Sequence, residues 1–218
     1  MRFAAAILLL AVLAVAPAQA AIVNVTVTGQ VVFNEIDQAP LNGVLPGTDV
    51  VVSFQVNSDD YVDGMLGFTR SYAINPSSFT LTFDSLVQIG LQDPFPDGRT
   101  PYFTLFDGFA GADGFFIATS SVLPNGVPLS TQPYDFNLDL QYGEDKLDSL
   151  DILSAQGVYD LDGLTSYSFD LWSLTPGDVV MGIEFGQMII STPSVPVPAA
   201  FWLMGSALIG LIGLRRRR

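Results

Sequence analysis

Carboxylates are the reactive side chains this sequence supplies in quantity: 22 Asp and Glu against no His and no Cys in 218 residues. Without imidazole or thiol there is no Ser-His-Asp triad, no cysteine nucleophile, no His-based zinc site and no Cys-bound cluster. Two carboxylate chemistries survive that exclusion. Calcium needs only carboxylate and carbonyl oxygens on flexible loops, and three stretches offer them: Asn57 to Asp63 (NSDDYVD), Asp107 to Asp113 (DGFAGAD) and Asp160 to Asp162. None has EF-hand spacing, because counting from Asp59 brings Gly64 into place but puts Arg70 where the bidentate glutamate belongs. Asp in such loops also serves as a turn residue that bonds its own backbone. Calcium therefore stands as an alternative, and no resident cofactor is expected. Glycoside hydrolysis needs two carboxylates a few ångströms apart, but among so many acids no pair is singled out. Of the glutamates Glu35, Glu144 and Glu184, Glu144 lies beside Asp145 and Lys146 and reads as a solvated turn. The chain is expected not to be an enzyme. Sugar binding by aromatic stacking is the remaining candidate, with Trp172, Tyr102, Tyr142 and Tyr167 as platforms, although aromatics on strands also serve as core or rim.

Charge narrows the partners. Of the 8 Lys and Arg, Arg2 lies near the start and Arg215, Arg216, Arg217 and Arg218 at the end, so Arg70, Arg99 and Lys146 stand alone against the 22 acids. Nucleic-acid binding rests on Lys and Arg displacing counterions from phosphates, so no nucleic-acid partner is expected. Such acidity suits the solubility and self-repulsion of a secreted protein. With no cysteine, stability must come from a core rather than from disulfides.

Both ends read as address segments. Met1-Arg2, an apolar run from Phe3 to Val15, and small residues at Ala18 and Ala20 make the three parts of a secretory signal peptide over 1–20, cleaved by signal peptidase after Ala20. Ala199 to Leu214 (AAFWLMGSALIGLIGL) is apolar, uncharged and stops at four arginines. As a helix it rises about 24 Å, short of the roughly 30 Å of a bilayer core, so it spans if the arginine stems snorkel. Those arginines form a basic stop at 215–218 that the positive-inside rule keeps in the cytoplasm, leaving 21–198 outside. Gly205, Gly210 and Gly213 weaken this transmembrane helix, and Ser206 and Gly210 allow another helix close approach. Such a helix suits a membrane-embedded processing enzyme. A Pro-rich tether over 192–198 precedes it, where Pro196 and Pro198 deny helix formation and keep the backbone extended.

Val195-Pro196-Val197-Pro198-Ala199, then Phe201-Trp202-Leu203, Gly205-Ser206, a glycine-bearing apolar run and the terminal arginines together resemble the PEP-CTERM sorting signal in its Val-Pro-Leu-Pro-Ala variant form. The resemblance covers about the last 24 residues. It implies a substrate of an exosortase-type membrane enzyme in a Gram-negative bacterium, often one that makes extracellular polysaccharide. The expected route is export, an inner-membrane intermediate, and then the cell surface or the extracellular space.

What must position any chemistry is the domain over 21–191. Tyr134 to Tyr142 (YDFNLDLQY) alternates strictly, and Asp49 to Val56 does so with Val50, Val52, Phe54 and Val56 facing inward. Further strand runs lie near Val23 to Phe33, Gly67 to Ile74, Ser78 to Phe83, Val87 to Leu91, Pro101 to Phe106, Phe115 to Thr119, Tyr167 to Leu174 and Val179 to Ile190. Turn signals such as Pro46-Gly47, Pro96-Asp97-Gly98 and Asp113-Gly114 separate them. Asp145 to Ala155 is the one place read as a short helix, because Leu147, Leu150 and Leu153 recur at helical spacing. The pattern predicts an all-β fold of roughly 8 to 11 strands in a two-sheet antiparallel β-sandwich, jelly-roll or immunoglobulin-like. Asn24-Val25-Thr26 matches a glycosylation sequon by chance. The expected function is that of a non-enzymatic surface or matrix protein associated with exopolysaccharide, biofilm or copies of itself. The alternatives are a carbohydrate-active enzyme with paired carboxylates and a calcium-dependent adhesin.

Overall fold

A computed structural model describes residues 20–193, apart from 85–86, 120–125, 131–133, 144, 162–163, 165 and 174–179; for residues 65, 166–170 and 172–173 it describes the backbone alone. The fold is all-β. Its strands are β1 (Ile22–Asn34), β2 (Asp49–Gly64), β3 (Thr69–Ile74), β4 (Thr80–Phe83), β5 (Val87–Ile89), β6 (Tyr102–Phe109), β7 (Ala112–Ala118), β8 (Val127–Pro128), β9 (Tyr134–Tyr142), β10 (Gly157–Asp160), β11 (Ser166–Ser173) and β12 (Val180–Ser191). Among the described residues there is no α-helix, only short 3-10 turns.

Every strand pairing is antiparallel. The ladder runs β1-β12-β11-β9-β7-β6-β3-β2 and returns to β1, so these eight strands form a closed circuit. Closure of this kind removes the unpaired strand edges that invite aggregation. Two long strands make it geometrically feasible. β2 pairs with β1 along one edge while its other edge takes β4 and then β3, the latter pairing from Val56 onward across a register shift between Val56 and Tyr61. β12 likewise holds β1 along one edge and, on the other, β11 at Val180 to Gly182 and β10 at Gln187 to Ile190.

The interior follows from the alternation. Val50, Val52, Phe54 and Val56 are buried as expected, and so are Tyr134, Phe136, Leu138, Leu140 and Tyr142. All twelve strands contribute to one hydrophobic cluster. Aromatic rings bridge segments that are not ladder neighbours: Phe54 of β2 meets Phe103 of β6 at 5.3 Å, and Phe79, just before β4, meets Phe136 of β9 at 5.9 Å between centroids. Edge-on contacts of this type add to the burial of large rings.

Three local expectations need correction. Asp145 to Ala155 forms turns rather than a helix, because distant side chains take its backbone groups. The Tyr72 hydroxyl donates to the Leu150 carbonyl at 2.7 Å and accepts from the Ile152 N–H at 2.9 Å. The Asp113 carboxylate accepts from the N–H groups of Lys146 and Leu147 at 2.7 and 2.9 Å. Leu147 and Ile152 are consequently buried while Leu153 is exposed, against the helical spacing. Asn57 to Asp63, read as a loop, is the second half of β2, held there by pairing of Tyr61, Val62 and Asp63 with β3. Asp113-Gly114, read as a turn, lies inside β7, with the turn of that hairpin at Ala110 and Gly111 instead. The twelve strands exceed the expected number because β8 and β10 are too short to show a pattern.

Candidate functional site

The acidic stretches do not gather. Asp63 forms a bidentate pair with Arg70 at 2.6 and 3.2 Å, and that guanidinium lies 4.1 Å from the Tyr61 ring centroid. Asp59 and Asp60 are exposed on β2. Asp160 ends β10, and Asp162 lies outside the described residues. Asp107 and Asp113 both lie in the β6-β7 hairpin, at its register shift, where Asp107 is raised above its ordinary value by burial first and then by Asp113 and Asp148. Asp113 is 1% exposed and committed to backbone N–H groups, Gly108 at 2.8 Å as well as Lys146 and Leu147. Among the described residues no group of three acidic side chains sits close enough to share a metal ion. Glu184 is exposed on β12 and Glu35 follows β1, while Glu144 is outside the described residues.

The aromatic platforms fare differently from one another. Tyr142 is 4% exposed, donates to the Asp160 carbonyl at 3.1 Å and is covered by the Lys146 ammonium 4.8 Å from its ring. It is core, not platform. Tyr102 is half-buried on β6, and Tyr167 and Trp172 lie on β11 with side chains outside the description. Burial pushes the Tyr142 phenol up to about 12, with Tyr159 and Asp160 adding to the rise, and it also raises Tyr72 and Tyr159. A folded phenol above the ordinary value near 10 contributes stability that is complete below about pH 10 and is lost as pH climbs toward the folded value. Ultraviolet titration is expected to show at least these three tyrosines ionising late, with the urea midpoint falling above about pH 10. Simultaneous ionisation of all 7 Tyr near the unperturbed value, with no loss of stability, contradicts this burial.

A different constellation is assembled by strand register. On β1, Val23, Val25 and Val27 point inward, which turns Asn24, Thr26 and Thr28 outward. Register then sets Asn24 between Ser191 of β12 and Gln55 of β2, and Thr26 opposite Ser53, which in turn faces Thr80 of β4. The side chains are tied to one another: the Gln55 amide donates to Asn24 Oδ1 at 3.0 Å, and the Ser53 and Thr80 hydroxyls are 2.9 Å apart. The 3-10 turn before β4 adds Asn75, which caps it by accepting from the Ser77 N–H at 3.2 Å, and Ser78, whose hydroxyl accepts the Gln55 N–H at 2.9 Å. The result is a groove of about 580 Å³ lined by hydroxyl and amide side chains, with no charged residue. Comparisons with protein-family models, curated proteins and solved structures find no match to this chain.

Charge begins only at the margins of the groove. An adjoining groove of about 440 Å³ shares Gln55 and Asn75 and carries Asp60 and Arg99. In the other direction the first acids are Asp49 and Glu184, paired in register with Gln30, about 20 Å along β1 from Asn24 at the rise of an extended strand. The polar positions of this face are visible in the sequence as the alternation Asn24, Thr26, Thr28 against valines. Their assembly with Gln55, Asn75 and Ser191 is not, because it depends on which strands pair. Of the predicted address residues, Ala20 is exposed at the first described position. Ala18, the motif Val195 to Ala199, the apolar run to Leu214 and Arg215 to Arg218 lie outside the described residues, as does the transmembrane expectation; no helix among the described residues is long and apolar enough to cross a membrane.

Proposed function

We propose that this protein is exported, carries a PEP-CTERM-like sorting tail, and serves without catalysis as a surface or matrix component that associates with extracellular polysaccharide. The observation that carries the reading is the charge-free hydroxyl and amide groove on a domain with 22 acids and three cations. Hydroxyl and amide side chains both donate and accept, as sugar hydroxyls do. The address reading is supported by the paired end segments: the signal peptide ending at Ala20, the Val195 to Ala199 motif, the apolar run and the arginine stop. Signal peptidase and an exosortase-type enzyme are the partners it implies. The finer architecture proposed is a two-layer sandwich of jelly-roll character, in which β2 and β12 pass from one layer to the other. The Phe54-Phe103 and Phe79-Phe136 contacts support a filled interior between layers. Long-range nuclear Overhauser contacts between those rings test it, and their absence refutes it.

Mass spectrometry of the native protein tests the address. The expected result is a new N-terminus near Ala21 and loss of the arginine tail. An intact chain recovered from the cytoplasm overturns the proposal.

A further inference from the structure

We propose that the outer face built by β12, β1, β2 and the turn before β4 binds a neutral polysaccharide chain, with Asn24, Gln55 and Asn75 as the central contacts. This rests on the matrix reading above and names the ligand class of that reading.

The ligand class follows from charge. The groove holds neither carboxylate nor cation, while the domain around it is strongly acidic. An anionic chain needs Lys or Arg to neutralise it, and none lines this groove: of the domain's three cations Arg99 comes nearest, in the adjoining groove. Arg70 is clamped on Asp63, Arg99 is 3.7 Å from Asp97, and Lys146 lies over Tyr142. A neutral polyhydroxylated chain meets none of that repulsion. A protein partner is disfavoured by the lining, since interface anchors are enriched in Trp, Tyr and Arg in desolvated pockets and this groove presents none of them outward.

Shape and order point the same way. Sites for small molecules are concave and mostly apolar, whereas this one is an open trough crossing three adjacent strands from Ser191 through Asn24 to Gln55 and then the turn at Ser78, bonded to the Gln55 N–H. At the spacing of neighbouring strands that is roughly 14 Å, the length of several linked sugar rings. The mutual hydrogen bonds of Gln55 with Asn24, and of the Ser77 hydroxyl with Asn75 Oδ1 at 2.9 Å, hold the side chains before any ligand arrives. Such preorganisation reduces the ordering cost of binding.

The test is affinity electrophoresis of the purified exported protein through native gels cast with dextran, laminarin, galactomannan or, as the anionic comparator, alginate. At least one neutral polysaccharide is expected to retard the protein, unaffected by added salt or by a calcium chelator. Gln55→Ala is expected to weaken that retardation tenfold or more at an unchanged urea midpoint, Asn75→Ala to weaken it as much while folded but with a lowered midpoint because the turn loses its cap, and Asp97→Asn is expected to leave it alone. Should an alanine variant unfold, Gln55→Met, similar in length but without the amide's donors and acceptor, supplies the same readout. Retardation that persists in all the groove variants overturns this site and leaves the matrix reading standing. Retardation by alginate alone overturns the neutral ligand class. No retardation by any polysaccharide overturns both. Sedimentation showing a dimer that the same substitutions dissociate assigns the face to a second copy and overturns the glycan.

Discussion

Asp113→Ala is expected to destabilise the domain by roughly 4 kcal/mol, because three backbone N–H groups lose a charged acceptor and two of them belong to a segment with no ladder of its own. Against a typical total of about 5–15 kcal/mol, that approaches unfolding. The carboxylate is the pin between the β6-β7 hairpin and the turns at Lys146 and Leu147, and no described side chain replaces it there. Asp113→Asn retains one acceptor oxygen and is expected to lose about half as much, roughly 2 kcal/mol. Urea unfolding followed by circular dichroism reads both. A midpoint for Asp113→Ala within about 1 kcal/mol of the parent, the scale of an ordinary surface change, removes the carboxylate from this role.

Gly114→Ala has the other large expected effect. A Cβ at this position falls onto the Leu140 carbonyl oxygen and the Phe106 ring. Phe106 is paired opposite Gly114 across β6 and β7, and its buried ring would have to turn aside; Leu140 belongs to β9 on the other side, and its carbonyl cannot retreat without opening the β7-β9 ladder. Overpacking of this kind costs more than about 3 kcal/mol when the backbone cannot shift. The variant is expected to be recovered unfolded or with a sharply lowered urea midpoint. Gly143→Ala, where a Cβ meets nothing within 4 Å, is the matched control and is expected to behave as the parent. Equal midpoints for the two variants are incompatible with β7 and β9 being paired in this register.

These two sites also mark where local sequence stops informing structure. Asp113-Gly114 carries the commonest turn signature, and nothing nearby indicates that the glycine is needed for room rather than for a bend. The strands at Asp49 to Val56 and Tyr134 to Tyr142 were legible because each buries one face against the core, which writes period-two alternation into the residues. The second half of β2 was not, since its residues from Asp59 to Asp63 are exposed on both faces and acidic residues then look like a loop. The leucines at 147, 150 and 153 imitated a helix because the side chains that hold that segment, Tyr72 and Asp113, are far away in sequence. The candidate groove was not read from the sequence: Val23 to Phe33 stood as a strand with a chance sequon at Asn24, an aromatic platform was the expected sugar site, and Tyr142 is core.

The pairing of β1 with both β2 and β12 bears on the export proposed above. The N-terminal strand is also the partner of the last one, so the ladder cannot complete until nearly the whole domain has been delivered. Pairings of such long sequence separation form slowly, and before β12 arrives β1 keeps one edge unsatisfied. A chain threaded through a translocation channel in an extended state gains from that delay, because a domain that locked early would jam in transit. The same wiring makes completeness a condition of stability: a product truncated before Val180 retains an open edge and a core lacking Met181, Ile183, Phe185, Met188 and Ile190, and is left open to proteolysis.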